Sequence, residues 1–100
     1  MRFDKLVRDR IIDIIEAKGQ RATWHVATDE EYRLKLGEKL REEVSEFLEN
    51  PSQEEMADVF EVITAILKER GWALEDIVAL QRKKREERGG FERRLILEES

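Results

Sequence analysis

Four acidic residues stand where apolar ones would be expected. Glu43 and Glu46 are three residues apart, Glu55 and Asp58 are three apart, and the turn-forming run Asn50-Pro51-Ser52-Gln53 lies between the pairs. At about 100° per residue, Glu43 falls within about 60° of Leu36, Leu40 and Phe47 on one side and of Glu46 and Lys39 on the other. On the next helix Glu55 lies about 60° from Asp58, between Val62 and Ile66. A buried carboxylate without a partner costs several kcal/mol or takes up a proton, and a divalent cation relieves both repulsion and desolvation. All-oxygen ligation selects Mg²⁺, or Mn²⁺, over zinc.

In a chain this charged, a single Glu-x-x-Glu is ordinarily a solvated helix face. Here two acidic pairs share core-facing sides and are joined by one tight turn. Basic residues are displaced in the same way. Lys84 lies nearly in line with Ile77 and Leu80, Arg88 follows on the same face, and Arg8 falls within about 60° of Ile11 and Ile15. Long basic stems often cover apolar surface and reach to solvent. Beside four acids, they also suit a phosphate-binding rim. His25, the single histidine, reads as structural, and one histidine builds neither a Ser-His-Asp triad nor a His-rich zinc site.

The elements that must position these residues follow from periodicity and caps. Helix 1 is expected over about Lys5 to Lys18, capped by Asp4, with Val7, Ile11, Ile14 and Ile15 at helical spacing and Gly19 as its stop. Ala22–Val26 reads as a short strand. Thr28-Asp29-Glu30-Glu31 is a capping box that opens helix 2, about Asp29 to Glu49. Asn50 as N-cap, with Pro51 at the first position and Gln53 at the third, starts helix 3, although Ser52 and Glu55 form a competing box. Helix 3 runs to about Arg70 and is apolar around most of its circumference, which makes it central or covers it with another subunit. Helix 4 spans about Leu74 to Arg88 and ends at Gly89-Gly90. Phe91–Leu97 reads as a second strand, able to pair with the first. The expected fold is an all-α four-helix bundle with a minor two-stranded β ribbon.

Composition bounds the function. One hundred residues make one domain. A net charge of −5 argues against a partner such as a nucleic-acid polymer. The absence of cysteine excludes disulfides, thiolate metal sites and a cysteine nucleophile. No apolar run approaches a membrane span, and Met1-Arg2-Phe3-Asp4 does not begin a signal peptide, so a cytoplasmic location is expected. Dense Glu, Lys and Arg usage also fits a heat-adapted protein.

Lys39-Leu40-Arg41-Glu42-Glu43-Val44-Ser45-Glu46, followed by Glu54-Glu55-Met56-Ala57-Asp58-Val59, resembles the Glu-x-x-Glu … Glu-x-x-Asp signature of the all-alpha nucleoside triphosphate pyrophosphatase superfamily. That group includes MazG-like proteins, dimeric dUTPases and phosphoribosyl-ATP pyrophosphohydrolases. The opening Lys5-Leu6-Val7-Arg8-Asp9-Arg10-Ile11 and the closing Lys84-x-x-x-Arg88-Gly89-Gly90-Phe91 look like a house-cleaning subgroup of single-domain pyrophosphatases. The resemblance implies a four-helix MazG-like fold, Mg²⁺ held by Glu43, Glu46, Glu55 and Asp58, and Glu42 acting around that site or on a second ion. It also implies cleavage of the α–β phosphoanhydride of a nucleotide, release of pyrophosphate, and a homodimer or homotetramer. Only eight residues separate Glu46 from Glu55, fewer than in many MazG-like proteins, so specificity elements carried by longer loops are absent or come from another subunit.

The expected chemistry is metal-assisted hydrolysis, with Glu42, Glu43 and Glu46 as the catalytic set and either Glu42 or Glu46 accepting the water's proton. Arg8, Lys39, Lys84 and Arg88 would bind substrate and neutralise the leaving pyrophosphate. Two non-catalytic classes share the pattern: a helical interaction module using helix 3, and a nucleotide-binding sensor without turnover.

Overall fold

The Thr28 hydroxyl accepts a hydrogen bond from the N–H of Glu31 at 3.2 Å, and α2 (Asp29–Glu49) begins where the capping box places it. In this computed structural model, which describes residues 4–100, three more helices accompany it: α1 (Ile11–Ala17), α3 (Gln53–Arg70) and α4 (Leu74–Arg88). The fold is all-α, as the periodicity predicts. Residues 1–3, read above as no signal-peptide start, lie outside the described range.

The turn between α2 and α3 differs from the expectation in its cap. Ser52, and not Asn50, is the N-cap of α3: its hydroxyl accepts from the Glu55 N–H at 3.1 Å. Asn50 instead closes α2, donating its N–H to the Glu46 carbonyl at 3.0 Å. A residue preceding proline is excluded from the α region, so Pro51 stops α2 at Asn50 and leaves the next polar residue to start α3. At the far end of α3, Gly71 adopts φ 71°. Its N–H bonds to Lys68 O at 3.2 Å and that of Trp72 to Leu67 O at 2.9 Å. This is a Schellman closure, which needs the left-handed conformation that glycine adopts without strain.

Two other expectations change. α1 starts at Ile11, not Lys5, and Asp4, with φ 48°, does not cap it. Lys5 and Arg8 pair instead with Glu42 and Asp58, and such tertiary contacts override weak helix propensity. Neither Ala22–Val26 nor Phe91–Leu97 forms a strand, so the minor ribbon does not form among the described residues. Val26, Phe91 and Ile96 are exposed. Two short segments without an apolar layer to cover them are marginal as a ribbon.

α2 and α3 are the one extensively packed pair of helices among the described residues. Leu36, Val59 and Val62 form their buried core, with the Arg33–Glu69 ion pair bridging the two helices. α4 is exposed along its length. The radius of gyration is 18.0 Å, against about 13 Å for a compact domain of this size. The accessible surface is 9742 Å² at 11.9 kDa, against roughly 5900 Å² for a compact monomer of that mass. No described helix is long and apolar enough to cross a membrane.

Candidate metal centre

The hairpin brings three of the four expected ligands together. One carboxylate oxygen from each of Glu43, Glu55 and Asp58 lies within 4.8 Å of the others. Glu43 comes from the C-terminal third of α2, and Glu55 and Asp58 from the first two turns of α3, so the short antiparallel connection sets their common height. Ser52 contributes directly, since capping through the Glu55 N–H fixes the first turn that carries the Glu55 side chain.

Glu43 is 7% exposed and is the single charged residue buried among the described residues. Its Oε2 has no hydrogen-bond partner, and neither does Oε2 of half-buried Glu55. Burial raises the Glu43 carboxyl above its usual range, and the nearby charge of Glu46 pushes it further, against a smaller opposing pull from Lys39. Glu46 lies outside the converging trio, exposed on the solvent edge of the same helix. Its place beside Glu43 is the edge position that the helical phase predicts.

Three cations line the centre. Lys39 Nζ is 3.4 Å from Glu43 Oε1 and 3.6 Å from Glu42 Oε2. Lys5 Nζ donates to Glu42 Oε1 at 2.8 Å, which holds the Glu42 carboxyl below its usual range. Arg8 Nη2 donates to Asp58 Oδ1 at 2.7 Å. Ionised, the carboxylates of Glu42, Glu43, Glu46, Glu55 and Asp58 outnumber Lys5, Arg8 and Lys39 by two charges. That excess equals one divalent cation. The donor set also fits a hard ion, being all carboxylate oxygen, and the only imidazole, His25, is engaged by Glu31 at 2.9 Å.

Lys84 and Arg88, expected on the phosphate rim, sit on exposed α4 and form no ion pair among the described residues. Within one chain the fold does not pack that helix against α2 and α3. Lys5, which the sequence presents only as the start of helix 1 and of the opening motif, joins the centre through Glu42. A surface groove lies elsewhere, along the outer side of α3 between Met56, Ala57 and Phe60, and is largely apolar. None of Glu43, Glu55 and Asp58 lines it.

Compared with known protein families, with curated proteins and with solved structures, the chain shows no match.

Proposed function

We propose that the protein is a cytoplasmic, Mg²⁺-dependent nucleotide pyrophosphohydrolase. It cleaves the α–β phosphoanhydride of a nucleoside triphosphate or a related nucleotide such as phosphoribosyl-ATP, in the role of clearing non-standard nucleotides. One observation carries the proposal: a carboxylate oxygen from each of Glu43, Glu55 and Asp58 lies within 4.8 Å of the others, and Glu43 and Glu55 each carry a buried oxygen without a partner. The resemblance of the acidic signature and both terminal motifs to the all-alpha pyrophosphatases supplies the reaction.

Glu43, Glu55 and Asp58 would hold the ion, with Glu46 as a fourth ligand from the solvent edge. Bound there, it would supply Lewis-acid polarisation of the phosphate and activation of water. Glu42 or Glu46, each beside the trio and nearer to water than Glu43, accepts the proton of the attacking water. Lys39 and Arg8 already face the carboxylates and neutralise phosphate charge as it develops.

The same proposal includes a homodimer or homotetramer. Its support is the roughly 3800 Å² of accessible surface beyond that of a compact monomer. A stable dimer typically buries about 1600 Å² or more. Phe60, Leu74 and Leu80 are all more than half exposed on α3 and α4, where a second copy would cover them. In such an assembly α4 of one protomer is the element available to bring Lys84 and Arg88 to the carboxylates of its partner.

The test is a pyrophosphate-release screen with Mg²⁺ over standard, deoxy and modified triphosphates and phosphoribosyl-ATP. Turnover on at least one substrate that disappears in both Glu43→Gln and Asp58→Asn supports the proposal. Turnover retained in both variants, or a blank panel, removes it in favour of a non-catalytic nucleotide-binding or interaction module.

A further inference from the structure

Residues 4–8 have no helical structure, yet they bridge the two helices of the acidic centre. Lys5 engages Glu42 on α2 at 2.8 Å, and Arg8 engages Asp58 on α3 at 2.7 Å. Asp58 belongs to the converging trio, whose Glu43 is nine-tenths buried with an orphaned oxygen. The Arg8 guanidinium therefore engages an oxygen of a carboxylate that converges with those of Glu43 and Glu55. A cation at that convergence would lie within a few ångströms of a fixed like charge.

Leu6 within the segment and Ile11, Ile12 and Ile15 of the seven-residue α1 that follows are half-buried, and none of them is fully buried. The Arg8 and Asp58 side chains are 58% and 41% exposed, and pairs so open to solvent are worth only about a few-fold in an equilibrium constant. A divalent cation attracted by several carboxylates at once would compete with such a pair at a site apart from the buried core of Leu36, Val59 and Val62.

We propose that residues 4–10 are an internal counter-ion to the acidic centre: Arg8 and Lys5 compete with a divalent cation for Asp58 and Glu42, and yield them when it binds. The inference rests on the metal-site reading above and adds the competitor that sets its affinity. Arg8 is then a positioning residue whose removal strengthens cation binding, where a structural tie would weaken it.

Mn²⁺ titrated into the full chain, with free Mn²⁺ read by electron paramagnetic resonance, tests this without reference to turnover. Arg8→Gln is expected to bind Mn²⁺ about three- to tenfold more tightly than the native chain. Lys5→Gln shifts in the same direction by less, and Arg8→Lys, which keeps the charge, stays near native affinity. Asp58→Asn binds at least about tenfold more weakly. Native binding that Asp58→Asn weakens, with Arg8→Gln and Lys5→Gln equal to or weaker than native, overturns the competition and leaves the metal site standing. No Mn²⁺ binding by the native chain or by Arg8→Gln overturns both. Since Arg8 and Lys5 engage different helices, a fold lost in one variant leaves the other to decide.

Discussion

The hydroxyl of Ser52 accepts the backbone N–H of Glu55 at 3.1 Å, and the side chain of that same Glu55 carries a buried, unpartnered Oε2 and belongs to the acidic cluster with Glu43 and Asp58. Helix start and candidate ligand are thus one local structure. Ser52→Ala should cost about 1 kcal/mol of stability, while Asn50→Ala, which removes no N-cap, should cost less than about 0.5 kcal/mol. Urea unfolding of the two variants measures both. An equal loss, or a larger one at Asn50, would return the cap to the residue that the sequence alone favours.

Glu43 is destabilised where it sits, because burial and the Glu46 charge both oppose its ionised form. Glu43→Gln keeps the shape and removes the charge, so stability without metal should be unchanged or higher. With Mg²⁺ at about a hundred times its dissociation constant, the native chain should gain about 2.7 kcal/mol, or roughly 11–22 °C in Tm. The variant should gain less than a third of that. Thermal melts with Mg²⁺ and with chelator read the difference, and an undiminished Mg²⁺ response in the variant would dismiss Glu43 as a ligand.

Lys84 and Arg88 lie on a helix that does not pack against its own carboxylates. If α4 serves the partner's site, Glu43→Gln and Lys84→Ala proteins, each weak alone, should restore activity when refolded together. Random pairing of a dimer gives about a quarter of native activity, because half the dimers carry one intact site. Activity no greater than the sum of the two separate variants would place Lys84 in its own chain's site or in none.

Phe60 is 62% exposed on the outer side of α3, in line with the apolar groove at Met56 and Ala57. Phe60→Glu should convert the assembly to monomer, measured by sedimentation equilibrium, and expose the remaining apolar surface. A native chain that already sediments as a monomer at micromolar concentration would remove the homo-oligomer from the proposal.

Leu36, Val59 and Val62 form a small core, so it tolerates little loss. Leu36→Ala should cost about 2–4 kcal/mol, and a chain with a core this small should then be largely unfolded without Mg²⁺. Circular dichroism with and without the ion checks this. A native-like melt for the variant would show that stability resides elsewhere, in contacts between copies.

The sequence by itself determined the four helices, the all-α class and six of their eight ends to within a residue: all four stops and the starts of α2 and α4. These are local matters: a capping box at Thr28, a proline after Asn50, glycines after Arg70 and Arg88. Helical phase also placed Glu43 inward and Glu46 at the edge, because both positions are counted along one rigid helix. Tertiary structure decided the rest. Whether Lys5 and Arg8 begin a helix or reach across to Glu42 and Asp58 depends on charges 37 and 50 positions away, to which local propensity is blind. Whether Ala22–Val26 and Phe91–Leu97 become strands depends on an apolar layer to cover them, and the fold supplies none within the described residues. The orphaned oxygens of Glu43 and Glu55 exist only once two helices close on them, which is why the acidic pattern becomes a candidate centre only in three dimensions.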